Sequence, residues 1–279
     1  MKIKLPFNDV LNSLITQKST YLCIGLDPDM DHIPPHLKYE KNPIDIFVRE
    51  IIEATQDLVV AYKANLAFYE CEELNGWEAL KNLCFMRPEH VLLILDGKRG
   101  DITNTARKYA GTYFDLLGAD AVTLHPYMGY DSIKPFIDKA DKGAFILTLT
   151  SNEGAADFQH LQIGTVSLHQ YIARKVETWN VHNNCGLVVG ATDIEGLKIL
   201  RRMVPQLPFL VPGVGAQGAN LKAAVKYGRS QHGTGLLINV GRDIIYAGQE
   251  KDYAKKVREK ALKYSLEMSE LMHTNWDNI

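Results

Sequence analysis

The 279-residue chain is 46% hydrophobic and carries a formal net charge of −2, so it can bury a large core and has no global field that favours nucleic acid or a membrane surface. Its four cysteines, Cys23, Cys71, Cys84 and Cys185, are scattered without a CxxC pair, which speaks for reduced thiols in a cytoplasmic protein and against a disulfide framework or zinc site. Residues 1–20 lack the apolar core and small-residue cleavage site of a signal peptide, and no apolar run approaches the roughly 20 residues of a membrane span.

Short apolar or β-branched runs alternate with longer helical patterns. Residues 21–26 (YLCIGL) read as a strand and 43–55 as a helix. Residues 58–63 (LVVAYK) form a second strand, followed by a helix around 77–83. A third strand at 91–96 (VLLILD) precedes a helix from 103 to 117. Residues 119–124, 144–150, 186–190, 208–211 and 235–240 supply five more strands. All are near-continuous apolar runs, as expected when both faces of a parallel sheet are covered. About eight βα units in a chain of this length predict an α/β fold, a closed (β/α)8 TIM barrel, as one domain over residues 1–279. Periodicity by itself also allows an open doubly wound sheet. No linker or composition shift divides the chain. The longest irregular stretch, 151–164 (SNEGAADFQHLQIG), follows a strand and so belongs to the catalytic face. Residues 252–273 read as one outer amphipathic helix.

The chemistry concentrates in ILDGKRGDITNTA, residues 94–106. Asp96 and Lys98 stand two apart at the end of a strand, so their side chains share a face. Polar residues at the C-terminal ends of barrel strands mark the active-site mouth. Gly97 and Gly100 are expected to let the backbone leave the strand steeply. Asp101 then precedes a Thr/Asn-rich helix start, where it could equally be a cap beside a surface Asp96–Lys98 pair. Lys63 ends the preceding strand at the same rim. Two lysines and two aspartates converging on one mouth outweigh the reading of each as an isolated surface charge.

A second cluster lies in VPGVGAQGAN (211–220) and NVGRD (239–243). Gly213, Gly215 and Gly218 satisfy GxGxxG, but the next strand ends in Arg242 and lacks the acidic residue of a dinucleotide-binding unit. Loops after strands 7 and 8 of TIM barrels commonly bind phosphate. A Gly-rich turn with Gln217, and Arg242 as a bidentate partner, suits a phosphate monoester, although the same residues also fit a pair of tight αβ turns with a structural arginine.

Together, K-x-N-x-A-F-Y-E, D-x-K-R-x-D-I-x-x-T, P-G-V-G-A-Q-G and G-R resemble the orotidine 5′-phosphate decarboxylase family, in family order from about residue 21 to 246. GLDPD and HPYMGYDS are similar to its longer bacterial and protozoan branch. D-x-K-x-x-D alone is shared with sister phosphate-sugar decarboxylases and aldolases. Arg99 after the lysine, and Asp101-Ile102 with Thr105 downstream, favour the orotidylate enzyme. The resemblance implies that Asp27 binds ribose hydroxyls, that Lys63 contacts ribose and holds the charges together, and that Lys98 protonates C6 of the pyrimidine. Asp96 would sit against the substrate carboxylate. Asp101, with Ile102 and Thr105, would reach across a homodimer interface into the neighbouring site. Ser151 would read the pyrimidine edge. Gln217, Gly241 and Arg242 would hold the phosphate, with Pro212 in the substrate-binding set. Asn152-Glu153 departs from the His-Pro expected after the serine in shorter relatives.

Loss of CO₂ from C6 leaves a vinylic carbanion without an adjacent carbonyl, a problem usually solved by an electron-sink cofactor. The nine histidines are dispersed, and no motif implies a cofactor or metal. The expected solution is electrostatic preorganisation by Lys98, kept protonated by its flanking aspartates. Two rivals remain: a Schiff-base aldolase using Lys98 or Lys63, and a non-catalytic barrel that binds a phosphate ligand. The expected partner is a small nucleotide, with neither nucleic acid nor membrane.

Overall fold

A computed structural model describes residues 4–215 and 220–276. Eight parallel strands close into a barrel: β1 (Leu22–Gly25), β2 (Ala61–Asn65), β3 (Leu92–Arg99), β4 (Ala121–Leu124), β5 (Gly143–Leu149), β6 (Cys185–Val189), β7 (Phe209–Pro212) and β8 (Leu236–Val240). Each falls where the apolar runs predict it. Cys23 of β1 pairs with Asn239 of β8, which closes the ring and excludes the open doubly wound sheet. Apart from the C-terminal end of β3, burial is nearly complete along the strands because side chains alternate between the barrel interior and the helical layer.

The N-terminal helix α1 (Phe7–Lys18) lies in a segment to which the sequence reading assigns no element. Its Asn and Thr content weakens helix propensity, yet Phe7, Leu11 and Ile15 recur every four residues and are buried. Phe7 packs edge-on against Phe145 of β5, with ring centroids 6.0 Å apart. A Cβ at Gly143 would lie 2.5 Å from the Phe7 ring, so the start of β5 must be glycine for α1 to seat there.

Helix α2 (Pro43–Thr55) matches its predicted span, and α3 (Glu73–Met86) extends the predicted one at both ends. The helix predicted over 103–117 is α-helical only as α4 (Thr103–Ala110) and then widens into a π-helical turn, Gly111–Leu116. The Leu117 amide correspondingly donates to the Thr112 carbonyl, five residues back (2.9 Å). The stretch predicted as irregular holds a 3-10 turn, Glu153–Asp157, and a hairpin of two-residue strands, Gln162–Ile163 and Val166–Ser167. The last helix, α5 (Tyr253–His273), packs outside against α2 and the helix Leu221–Gly228, as its amphipathic pattern predicts. Among the described residues no helix is long and apolar enough to cross a membrane.

Candidate active site

The C-terminal ends of the strands surround a cavity of about 540 Å³. Of the side chains singled out in the sequence, Asp27, Lys63, Asp96, Lys98, Ser151, Pro212, Gly241 and Arg242 line it. Asp101, Ile102 and Thr105 do not. Gln217 lies outside the described residues.

Lys63, at 5% exposure, is an ammonium in a nearly dry position. Burial alone would depress its pKa, but Asp27 and Asp96 outweigh that cost and raise it above the ordinary 10.5. Its Nζ stands 3.0 Å from Asp96 Oδ2 and 3.6 Å from Asp27 Oδ1. The other carboxylate oxygen of Asp96, Oδ1, takes Lys98 Nζ at 2.7 Å. Burial pushes Asp96 up, but Lys63, Lys98 and the Thr123 hydroxyl hold it well below the usual carboxylate range. The stability that Asp96 contributes is therefore present above the ordinary carboxylate range and lost as pH falls through its depressed native value. The Lys63 contribution is present below the ordinary lysine value and lost as pH rises through its elevated one. Between those limits Lys63 and Asp96 keep their charges.

Asp27 leaves β1 with its carboxylate anchored, Oδ1 accepting from the Asn65 amide (3.0 Å). Cys23 lies one layer below, and burial pushes its thiol up to about 12. It stays neutral and is no nucleophile at physiological pH. Among the described residues no three His, Cys, Asp or Glu side chains gather in a metal-holding group.

The end of β3 corrects one expectation. Neither Gly97 nor Gly100 adopts positive φ; the left-handed residue is Lys98 itself, at φ 45°. That conformation costs a non-glycine residue about 1–2 kcal/mol, and it coincides with a register break against β4 between Leu95 and Arg99. The glycines serve close approach instead. A Cβ on Gly97 would meet Leu66 Cδ1 at 2.8 Å, and one on Gly100 would fall 2.3 Å from the His125 ring. Arg99 turns out of the mouth, to Tyr113 Oη (2.6 Å) and Glu70 (2.5 Å).

Arg242 lines the cavity from the end of β8, and among the described residues it forms no ion pair. The neighbouring Asp243 would compete for it, but its carboxylate accepts from Tyr264 Oη (2.6 Å) and pairs with Lys260 (3.1 Å), both on α5. Gly213 (φ 97°) and Gly215 (φ 93°) open the loop after β7 in a conformation that favours glycine. These two glycines therefore follow a strand of a closed barrel and do not open a dinucleotide-binding unit of an open sheet; Gly218 lies outside the described residues.

Asp101 caps nothing with its side chain beyond the next residue: Oδ1 accepts from the Ile102 amide (2.7 Å). Ile102 is 61% exposed, and Tyr127 and Met128 on the loop after β4 and Tyr130 at the start of the following helix are exposed as well.

Asn65, Thr123, Gln159 and Asn239 also line the cavity and receive no role from the sequence, although Asn65 and Asn239 stand within its motifs. Asn65 and Asn239 each follow an inward-facing residue by two in a strand, a signal available from period-2 alternation. Thr123 is the lone polar residue of β4. Gln159 had no local signal. From the loop after β5 its side chain accepts from the Thr150 amide (2.8 Å) and donates to the Thr150 hydroxyl (2.8 Å), bracing the turn that carries Ser151 and Asn152.

Residues 20–257 match the orotidine 5′-phosphate decarboxylase / HUMPS family. The chain is 44% identical over 269 residues to the orotidine 5′-phosphate decarboxylase of Flavobacterium johnsoniae, covering 95% of this chain and 98% of that protein. Among solved structures, Leishmania donovani OMP decarboxylase superposes with a TM-score of 0.80 at 38% identity, covering 94% of this chain and 99% of the other. The UMP synthase of the same organism gives 0.82 at 40% identity over 94% of this chain, which spans only 57% of that longer protein. On the strength of the near full-length match and the shared barrel, this chain belongs to the orotidine 5′-phosphate decarboxylase / HUMPS family.

Proposed function

We propose that the chain decarboxylates orotidine 5′-phosphate to uridine 5′-phosphate, the last step of de novo pyrimidine nucleotide synthesis, using its own charge array and no cofactor. The observation that carries this reading is the Lys63–Asp96–Lys98 array in a cavity that also presents Arg242. The phosphate would bind at Arg242 and Gly241, with Gln217, which lies outside the described residues, as a further assigned contact, and the ribose beside Asp27 and Lys63. That leaves the pyrimidine between Lys98 and the Ser151 turn, with Pro212 against the nucleotide. Breaking the C6–carboxylate bond leaves its electron pair on C6. The Lys98 ammonium stabilises that charge and delivers the proton, then regains one from solvent. Asp96 holds Lys98 in place and would face the departing carboxylate.

The Schiff-base alternative needs a neutral amine. Lys63 is held protonated between two carboxylates, and the Lys98 ammonium is engaged by Asp96. A barrel that only binds phosphate ligands has no use for a buried ammonium between two aspartates, an arrangement costly to desolvate.

The working unit in this reading is a cytoplasmic homodimer of single-domain chains. Support comes from the unpaired cysteines, from the exposed Ile102, Tyr127, Met128 and Tyr130 around one rim, and from Asp101, whose side chain lies outside its own cavity. Asp101, Ile102 and Thr105 would complete the neighbour's site.

The test is direct: chelator-treated protein incubated with orotidylate should release CO₂ and form uridine 5′-phosphate. Failure to do so, with a keto-sugar phosphate trapped on a lysine by borohydride instead, would transfer the reading to the aldolase class. Arg242→Ala should weaken orotidylate and uridine 5′-phosphate together by about ten-fold or more, since a charge-assisted contact contributes roughly 1.5–3 kcal/mol. Affinity for uridine 5′-phosphate measured by calorimetry checks this, and an unchanged value would put the phosphate elsewhere.

A further inference from the structure

We propose that Thr123 is a positioning residue for proton delivery, its hydroxyl tying the Asp96 carboxylate to the backbone of Lys98 so that the Lys98 ammonium is aimed from two directions. The inference rests on the decarboxylase reading above and adds to it a residue on β4.

Thr123 is 2% exposed, on the strand next to the one that carries Asp96 and Lys98. Its Oγ1 accepts the backbone N–H of Lys98 at 3.0 Å. Its proton goes to Asp96 Oδ1 at 2.7 Å, a direction fixed because an ionised carboxylate only accepts. The same Oδ1 accepts from Lys98 Nζ at 2.7 Å. The path from the Lys98 ammonium through Asp96 Oδ1, the Thr123 hydroxyl and the Lys98 amide back along the Lys98 side chain is therefore a closed ring.

The ring answers a problem that the array alone leaves open. Lys98 is a flexible four-carbon chain, half-exposed, and the only hydrogen-bond partner of its ammonium among the described residues is Asp96. A catalytic ammonium is useful only where its charge is held in advance at the site of developing negative charge. Both of its anchors end at Thr123, one through the side chain of Asp96 and the other through a backbone turned to φ 45°. Asp96 in turn divides its oxygens, Oδ2 to Lys63 and Oδ1 to Lys98 and Thr123. Loss of the hydroxyl leaves the Lys98 amide without its acceptor and lets the carboxylate rotate toward Lys63.

Thr123→Val keeps the shape and removes the hydroxyl, Thr123→Ala removes both, and Thr123→Ser keeps the hydroxyl without the methyl. Steady-state turnover of orotidylate and affinity for uridine 5′-phosphate are measured for wild type and all three, with thermal unfolding to confirm folding. Thr123→Val should lower kcat about 10- to 100-fold, the scale of one lost hydrogen bond to a charged group. KM and uridine 5′-phosphate affinity should stay within about two-fold, because the phosphate end is untouched. Thr123→Ser should retain kcat within about three-fold. If Val fails to fold, Thr123→Ala carries the same expectation. Three results overturn the inference while wild type remains active: a hydroxyl-free variant with kcat within two-fold of wild type, a serine variant as impaired as valine, or losses that appear equally in nucleotide affinity. A wild-type chain inert toward orotidylate would instead overturn the functional reading, and this inference with it.

Discussion

Lys98→Ala should lose turnover by at least about 10³-fold while still binding uridine 5′-phosphate within a few-fold of wild type. Two effects are removed at once: the preorganised positive charge beside C6 and the proton that quenches the carbanion. Each is worth roughly 10²-fold or more in other enzymes. The substitution is clean in structural terms. Lys98 is half-exposed, and alanine pays the same left-handed backbone cost as lysine, so stability should change little. Asp96 keeps Lys63 and Thr123 as partners, so no buried charge is orphaned. Asp96→Asn is the less informative variant for that reason. It leaves Lys63, a nearly buried ammonium, with Asp27 at 3.6 Å as its sole carboxylate partner among the described residues. Removing one partner of a buried pair costs roughly 3–5 kcal/mol, so lost activity there could be lost fold. Single-turnover decarboxylation, measured beside nucleotide affinity, checks the Lys98 expectation. Activity within a few-fold of wild type would sink the assignment.

Mixing two inactive variants, Lys98→Ala and Asp101→Asn, should restore activity that neither has alone. If Asp101 completes the neighbour's site, a mixed dimer holds one site with both defects and one with neither. Random pairing makes about half of the dimers mixed, so about a quarter of all sites should regain wild-type chemistry in a two-fold symmetric dimer. Asp101 suits this role because, among the described residues, its carboxylate makes only a local contact to the Ile102 amide and is not part of its own cavity's lining. Its removal should therefore leave each chain folded. Differently tagged chains verify that exchange has occurred. Recovery scaling with the fraction of mixed dimers is the expected result. Demonstrable mixed dimers without activity would confine Asp101 to its own chain or leave it without a role.

The array in these experiments was legible in the sequence only in part. Asp96 and Lys98 could be paired from spacing, because strand period two puts both side chains on one face whatever the strand packs against. Lys63 and Arg242 could be placed at a rim because each ends an apolar strand. The apolar runs likewise announced eight strands buried on both sides. These are local properties, carried by residues close along the chain.

Closure of the sheet, by contrast, was decided by Leu22 meeting Ile238, a pairing that no local pattern distinguishes from the edges of an open sheet. Register then chose the partners: Asn65 falls beside Asp96, and Asp27 and Thr123 arrive from the strands at either side of β2 and β3. The steep exit from β3, expected at Gly97 and Gly100, sits at Lys98, because the hydrogen bond its amide donates to Thr123 on β4 supports a conformation that its own side chain disfavours. Asp101 is absent from the lining of its own cavity for the same kind of reason: its carboxylate is held locally by the Ile102 amide, just ahead of helix α4 at Thr103. Side-chain periodicity is a property of one strand, but convergence of charges is a property of how strands are ordered and aligned, and only the folded barrel sets that.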